Sequence, residues 1–144
     1  MEKLEIRNTL FSYISRVQHR GATYIEELLR EKGVNNLGYS HIRIIIILSI
    51  YKKLSMKEIS KLICKDKSTV TSLVNKLERM SYVKKTASIE DKRVIYLTLE
   101  EKSNEIIEIV FQVTKIFHKR VEKILTKEEI SQLFCLMEKL VENF

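Results

Sequence analysis

Apolar residues recur at helical spacing over most of this chain. Leu10, Ile14, Val17, Ile25, Leu28 and Leu29 supply the apolar positions of a first helix, expected from Leu4 to about Lys32. Gly33-Val34-Asn35-Asn36-Leu37-Gly38 breaks it. A second helix is expected from about Ser40 to Tyr51. Its IIIIL run at 44–48 is β-branched and equally compatible with a strand, and its length and helical neighbours favour helix. Ser55 opens a short helix to about Ile63. After the tight turn CKDK, Val70, Leu73, Val74 and Leu77 at i, i+3, i+4, i+7 mark an amphipathic helix capped by Asp66 and running to Met80. This is a helix-turn-helix pattern.

Tyr82–Thr86 and Arg93–Leu97 are short β-prone runs on either side of the charged tip ASIEDK, and together they predict a two-stranded wing. Thr98 is expected to start a long helix to about Leu125, carrying Ile106, Val110, Val113, Phe117, Val121 and Ile124. Lys127 starts a last one to about Glu142. Ser55/Glu58, Thr98/Glu101 and Thr126/Glu129 have the spacing of capping boxes, in which each side chain satisfies the other's free amide. The fold class is therefore mainly α: one unit over 1–144, with a winged helix-turn-helix at 39–98 and terminal helices at 1–38 and 99–144. In so short a chain those terminal helices have little to cover their apolar stripes. Antiparallel packing against a second copy is the expected solution, making them a dimerisation domain, with a monomeric bundle as the alternative.

Composition narrows the function. There is no proline and only three glycines, which argues against a many-turned β-fold and against a Gly-rich phosphate loop. The opening MEKLEIRN is charged where an export signal needs an apolar run, and IIIIL is too short to cross a bilayer. Two cysteines fit a reducing cytoplasm, and both Cys64 and Cys135 are expected to be buried structural thiols. His19, His41 and His118 show no metal-ligand spacing, and no cofactor motif or catalytic set of Ser/His/Asp, Cys/His or paired carboxylates is present. The reading is a non-enzyme without cofactor or metal.

The net charge of +7 has a location. Residues 52–93 hold twelve Lys or Arg against five Asp or Glu, while the rest of the chain is balanced at fourteen of each. Such a basic segment between neutral flanks is the footprint of a polyanion-binding module, although a solvated basic surface would look the same. Opposite the apolar stripe, the helix at 66–80 presents Ser68, Ser72, Asn75 and Arg79, and its acid, Glu78, lies off that face. A helix merely facing water more often carries Glu and Lys. Short hydroxyls allow close approach to a groove floor, and Asn can pair bidentately with adenine. Ser68, Thr69, Thr71, Ser72, Asn75 and Lys76 are therefore candidate DNA contacts, with Ser68 and Thr69 also at a helix N-terminus that suits phosphate. Capping on a solvated surface is the plainer alternative. A protein-interaction module with an acidic partner is the alternative function, although such an interface favours aromatic anchors that this face lacks.

LSMKEISKLI (54–63), STVTSLVNKLERM (68–80), YVKK (82–85) and DKR followed by VIYLT together resemble the MarR family of winged-helix transcriptional regulators, and the flanking helices match in kind. The resemblance implies a homodimer binding a pseudo-palindromic operator in double-stranded DNA, released by a small-molecule or stress signal. It implies a helix in the major groove and a wing in an adjacent minor groove. Arg93 matches the family's wing arginine, Asp91 would orient it, and Lys84, Lys85 and Lys92 would contact phosphate. The chain departs from the family at Ser81, where a glycine usually ends the helix in left-handed conformation, and at Glu101 in place of a second glycine.

Overall fold

A computed structural model describes residues 9–144; the first turn expected for the leading helix, from Leu4, falls outside them. The described residues form helices α1 (Leu10–Glu31), α2 (Tyr39–Tyr51), α3 (Met56–Ile63), α4 (Lys67–Arg79), α5 (Ser103–Ile124) and α6 (Lys127–Asn143), and strands β1 (Lys53–Ser55), β2 (Val83–Ala87) and β3 (Ile95–Leu99). The IIIIL run is helical. Ile44, Ile45 and Leu48 are buried, so α2 forms the centre of the core, with Leu29 of α1, Ile59 and Ile63 of α3, Val70, Val74 and Leu77 of α4, and Ile106, Val110 and Val113 of α5 around it. Each such fully buried aliphatic side chain stabilises the fold by about 1.5–3 kcal/mol relative to exposure.

Local chemistry sets the ends of the helices near the basic segment. Ser55 Oγ accepts from the Glu58 amide at 3.1 Å and Glu58 returns a bond to the Ser55 amide at 2.7 Å, as the capping box requires; Thr126 and Glu129 repeat the arrangement. Helix α4 ends in a left-handed residue at Ser81, φ 62°, with Ser81 N–H bonded to Glu78 C=O and Tyr82 N–H to Leu77 C=O. This is the Schellman closure that glycine favours, here adopted by a serine.

The expected two-stranded wing forms from β2 and β3, and β1 adds a third strand by pairing antiparallel on the other side of β3. Three expectations need correction. The second wing strand begins at Ile95, leaving Arg93 in the turn before it. Thr98 caps no helix. Its backbone is extended in the central strand between Lys53 and Lys84, and α5 starts at Ser103, whose buried hydroxyl donates to Glu100 C=O at 2.6 Å. Both cysteines are exposed: Cys64 occupies the left-handed position, φ 54°, that turns the chain outward after α3, and Cys135 is on α6, which buries no residue.

Candidate nucleic-acid interface

The turn between α3 and α4 is held from both sides. Arg43 of α2 donates to the carbonyls of Ile63 and Leu62, at 3.0 and 3.1 Å, just where α3 runs out of partners. Asp66 caps α4 by accepting from the Thr69 amide at 3.2 Å and the Ser68 hydroxyl at 3.0 Å, and hydrogen bonds from Thr69 and then Ser68 hold its carboxyl below the ordinary range. An acid already occupies that helix N-terminus.

Of the assigned residues of α4, Thr69 is exposed in the first turn beside Asp66, and the other five divide into three groups. Ser68 and Ser72 are exposed on the outward face with Arg79, and Ser72 makes no side-chain hydrogen bond among the described residues. Thr71 and Asn75 lie on the flank toward the wing. The Thr71 hydroxyl donates to Lys67 C=O at 2.8 Å, so it offers only lone pairs outward, and Asn75 Oδ1 accepts from Lys85 Nζ. Lys76 lies on the other flank, where its charge acts on His41. His41 is half-buried at the start of α2, and Nδ1 accepts the Gly38 amide at 3.1 Å. Burial first, then Lys76, lower the His41 pKa below its ordinary 6.5, against the opposing pull of Glu26.

The wing presents its cations in different directions. In the turn before β3, Arg93 Nε meets Asp91 Oδ1 at 3.2 Å and the Arg93 amide bonds the same oxygen at 3.0 Å, while the Arg93 side chain stays 92 % exposed. Asp91 therefore holds Arg93 as expected. Lys84 and Lys85 are neighbours in β2 and project to opposite faces of the sheet. Lys85 turns toward α4, and Lys84 and Lys92 are exposed. Ile89, fully exposed, occupies the tip of the wing.

Between α3, α4 and the wing lies a cleft of about 500 Å³. Lys57, Lys61, Lys67, Lys85 and Arg93 line it over a floor that includes Val70 and Ile95. The first three were absent from the sequence-derived set. Their signal was there in part, since Lys57 and Lys61 are four apart on the polar side of a short helix. The charge excess of the central segment thus converges beside the outward face of α4.

Residues 29–110 match the family model described as transcriptional regulator SarA/Rot. The HTH-type transcriptional regulator SarZ of Staphylococcus saprophyticus is 29% identical over 103 residues, covering 69% of this chain and 70% of that protein. SarZ of Staphylococcus epidermidis is 28% identical over 110 residues, 74% of this chain and 69% of its own. Among solved structures, a variant of Escherichia coli MarR complexed with operator DNA superposes with a TM-score of 0.81 at 20% identity, covering 91% of this chain and 92% of MarR. Bordetella bronchiseptica BpsR, whose DNA binding is regulated by 6-hydroxynicotinic acid, gives 0.85 at 13% identity over 99% of both chains. At such identities the structural likeness establishes the fold, a MarR-type winged helix, and the sequence match establishes the lineage. The chain belongs to the SarA/Rot family of DNA-binding transcriptional regulators.

Proposed function

We propose that the protein acts in the cytoplasm as a homodimeric repressor of a pseudo-palindromic operator, released by a small-molecule or stress signal. Helix α4 enters the major groove through Ser68, Ser72 and Arg79, with Thr71 and Asn75 along its flank. The wing places Arg93 in the neighbouring minor groove, and Lys57, Lys61, Lys67, Lys84 and Lys92 draw in the phosphates between. The observation that carries this reading is the convergence on one side of an acid-free polar helix face, a five-cation cleft and an arginine that is clamped by Asp91 yet almost wholly exposed. Residues 39–98 form the DNA-binding region, and 1–38 with 99–144 the dimerisation helices. Helix α6 has no fully buried residue and exposes Leu133, Phe134 and Val141, which supports pairing with a second copy. Regulation of BpsR by 6-hydroxynicotinic acid supports an aromatic acid as one class of effector.

Selection of binding duplexes from random DNA, followed by footprinting and light scattering, tests this reading. A dimer protecting two similar half-sites is the expected result, with Phe134→Asp giving monomers that bind weakly. A protein that stays monomeric at micromolar concentration, or that enriches no sequence, would overturn it.

A further inference from the structure

The outward helix and the wing meet at Lys85. Its Nζ donates to Asn75 Oδ1 and lies 3.6 Å from the Glu78 carboxylate, and only 25 % of its side chain is exposed. An ammonium has three donors and no acceptor, so the amide atom that faces it has to be the oxygen, and Asn75 Nδ2 is turned the other way. Glu78 is the acid of α4, and its place off the outward face now has a cause: it holds Lys85 over the helix.

This arrangement bears on what Asn75 can read. A side-chain amide recognises adenine with both ends at once, its oxygen accepting from N6 and its NH2 donating to N7. With the oxygen already accepting from an ammonium and held against the wing, it is a poorer acceptor for a second donor, and the NH2 is the end left fully available to a base edge. Guanine presents two adjacent acceptors, O6 and N7, whereas adenine presents one acceptor beside a donor.

Resting on the DNA-binding reading above, we propose that Lys85 is a specificity-determining positioning residue: by engaging the oxygen of Asn75 and holding it against the wing, it turns the donor end of that side chain to the groove and favours guanine over adenine beneath it. Lys85 then acts through Asn75 and not as one more phosphate contact, which also explains why it is three-quarters covered while Lys84 beside it is exposed.

The test uses the full-length protein on an operator selected from random DNA. Asn75→Ala first identifies the base pair whose preference flattens. Duplexes carrying each of the four bases there are then titrated by fluorescence anisotropy with wild type, Lys85→Met, Lys85→Arg and Lys84→Met. Wild type should prefer guanine to adenine, and Lys85→Met should move that ratio toward adenine by ~5-fold or more, the scale of one bidentate base contact. Lys85→Arg, also donor-only, should keep the wild-type ratio, and Lys84→Met should weaken all four duplexes alike. Lys85→Ala carries the same expectation as Lys85→Met if the latter proves ill-folded. An unchanged ratio in both truncations, or no base preference that depends on Asn75, would overturn the proposal while leaving DNA binding in place. Failure of wild type to bind any duplex would remove the DNA-binding reading itself, and the proposal with it.

Discussion

Replacing Arg43 by methionine should loosen the helix-turn-helix from behind. Arg43 is half-buried on α2, and its two hydrogen bonds, 3.0 Å to Ile63 C=O and 3.1 Å to Leu62 C=O, satisfy carbonyls that α3 leaves open when Cys64 turns left-handed. A buried hydrogen bond to a charged group stabilises by about 1.5–3 kcal/mol. Here the Leu62 bond is exposed and screened by solvent, so the pair together should contribute about 2 kcal/mol. Methionine keeps much of the volume and removes both donors. Urea unfolding at fixed protein concentration should show stability reduced by about 2 kcal/mol, moving the midpoint down by roughly 1 M. Arg43→Lys, which can reach one carbonyl at a time, should fall between. DNA affinity should fall as well, because the same two bonds set the angle at which α4 leaves the turn. A loss below about 0.5 kcal/mol, the range of an ordinary surface substitution, would refute the argument.

Three further outcomes are expected. Ser81→Gly should raise stability by about 1 kcal/mol, since a non-glycine left-handed residue costs about 1–3 kcal/mol and glycine gives back about 0.4–1 through the unfolded chain; a thermal melt should show a rise of about 3 °C, and no rise would mean the turn is unstrained. His41 has its pKa lowered in the fold, so its contribution to stability is present above about pH 6.5 and is lost as pH falls toward the folded value, because the unfolded chain takes up the proton first. His41→Gln can still accept the Gly38 amide without titrating, and should flatten the loss of stability below pH 6.5; an unchanged slope would assign that loss to other groups. Ser72→Glu places an acid on the outward face of α4 and should weaken DNA binding by roughly tenfold or more with no loss of melting temperature; equal affinity would take that face out of the interface.

The parts legible in the sequence were those governed by local rules. Helical periodicity and capping signals pointed to five of the six described helices, length and helical neighbours decided α2, and the family resemblance singled out Ser81 and the Asp91–Arg93 pair, both of which rest on near neighbours in sequence. What was missed came from contacts distant along the chain. Lys53–Ser55 is too short to show a period and is a strand only because β3 pairs with it. The Thr98/Glu101 spacing satisfied the capping pattern, yet two strand neighbours hold the Thr98 backbone extended. Cys64 reads as apolar, but a left-handed turn brings it to the surface. The candidate interface divides the same way: charge and helix face pointed to the region, while the roles of Arg43, Lys57, Lys61 and Lys85 depend on how α2, α3 and the wing close around α4.

The claim that α4 and the wing together grip duplex DNA is tested most directly by salt. Affinity for a selected operator should be measured by anisotropy from about 50 to 200 mM salt, with Arg93→Ala beside wild type and circular dichroism confirming that both are folded. A steep linear fall of log affinity with log salt is expected, with the slope about one unit shallower in Arg93→Ala. Affinity that is flat across that range, or a variant with the wild-type slope and strength, would contradict the account.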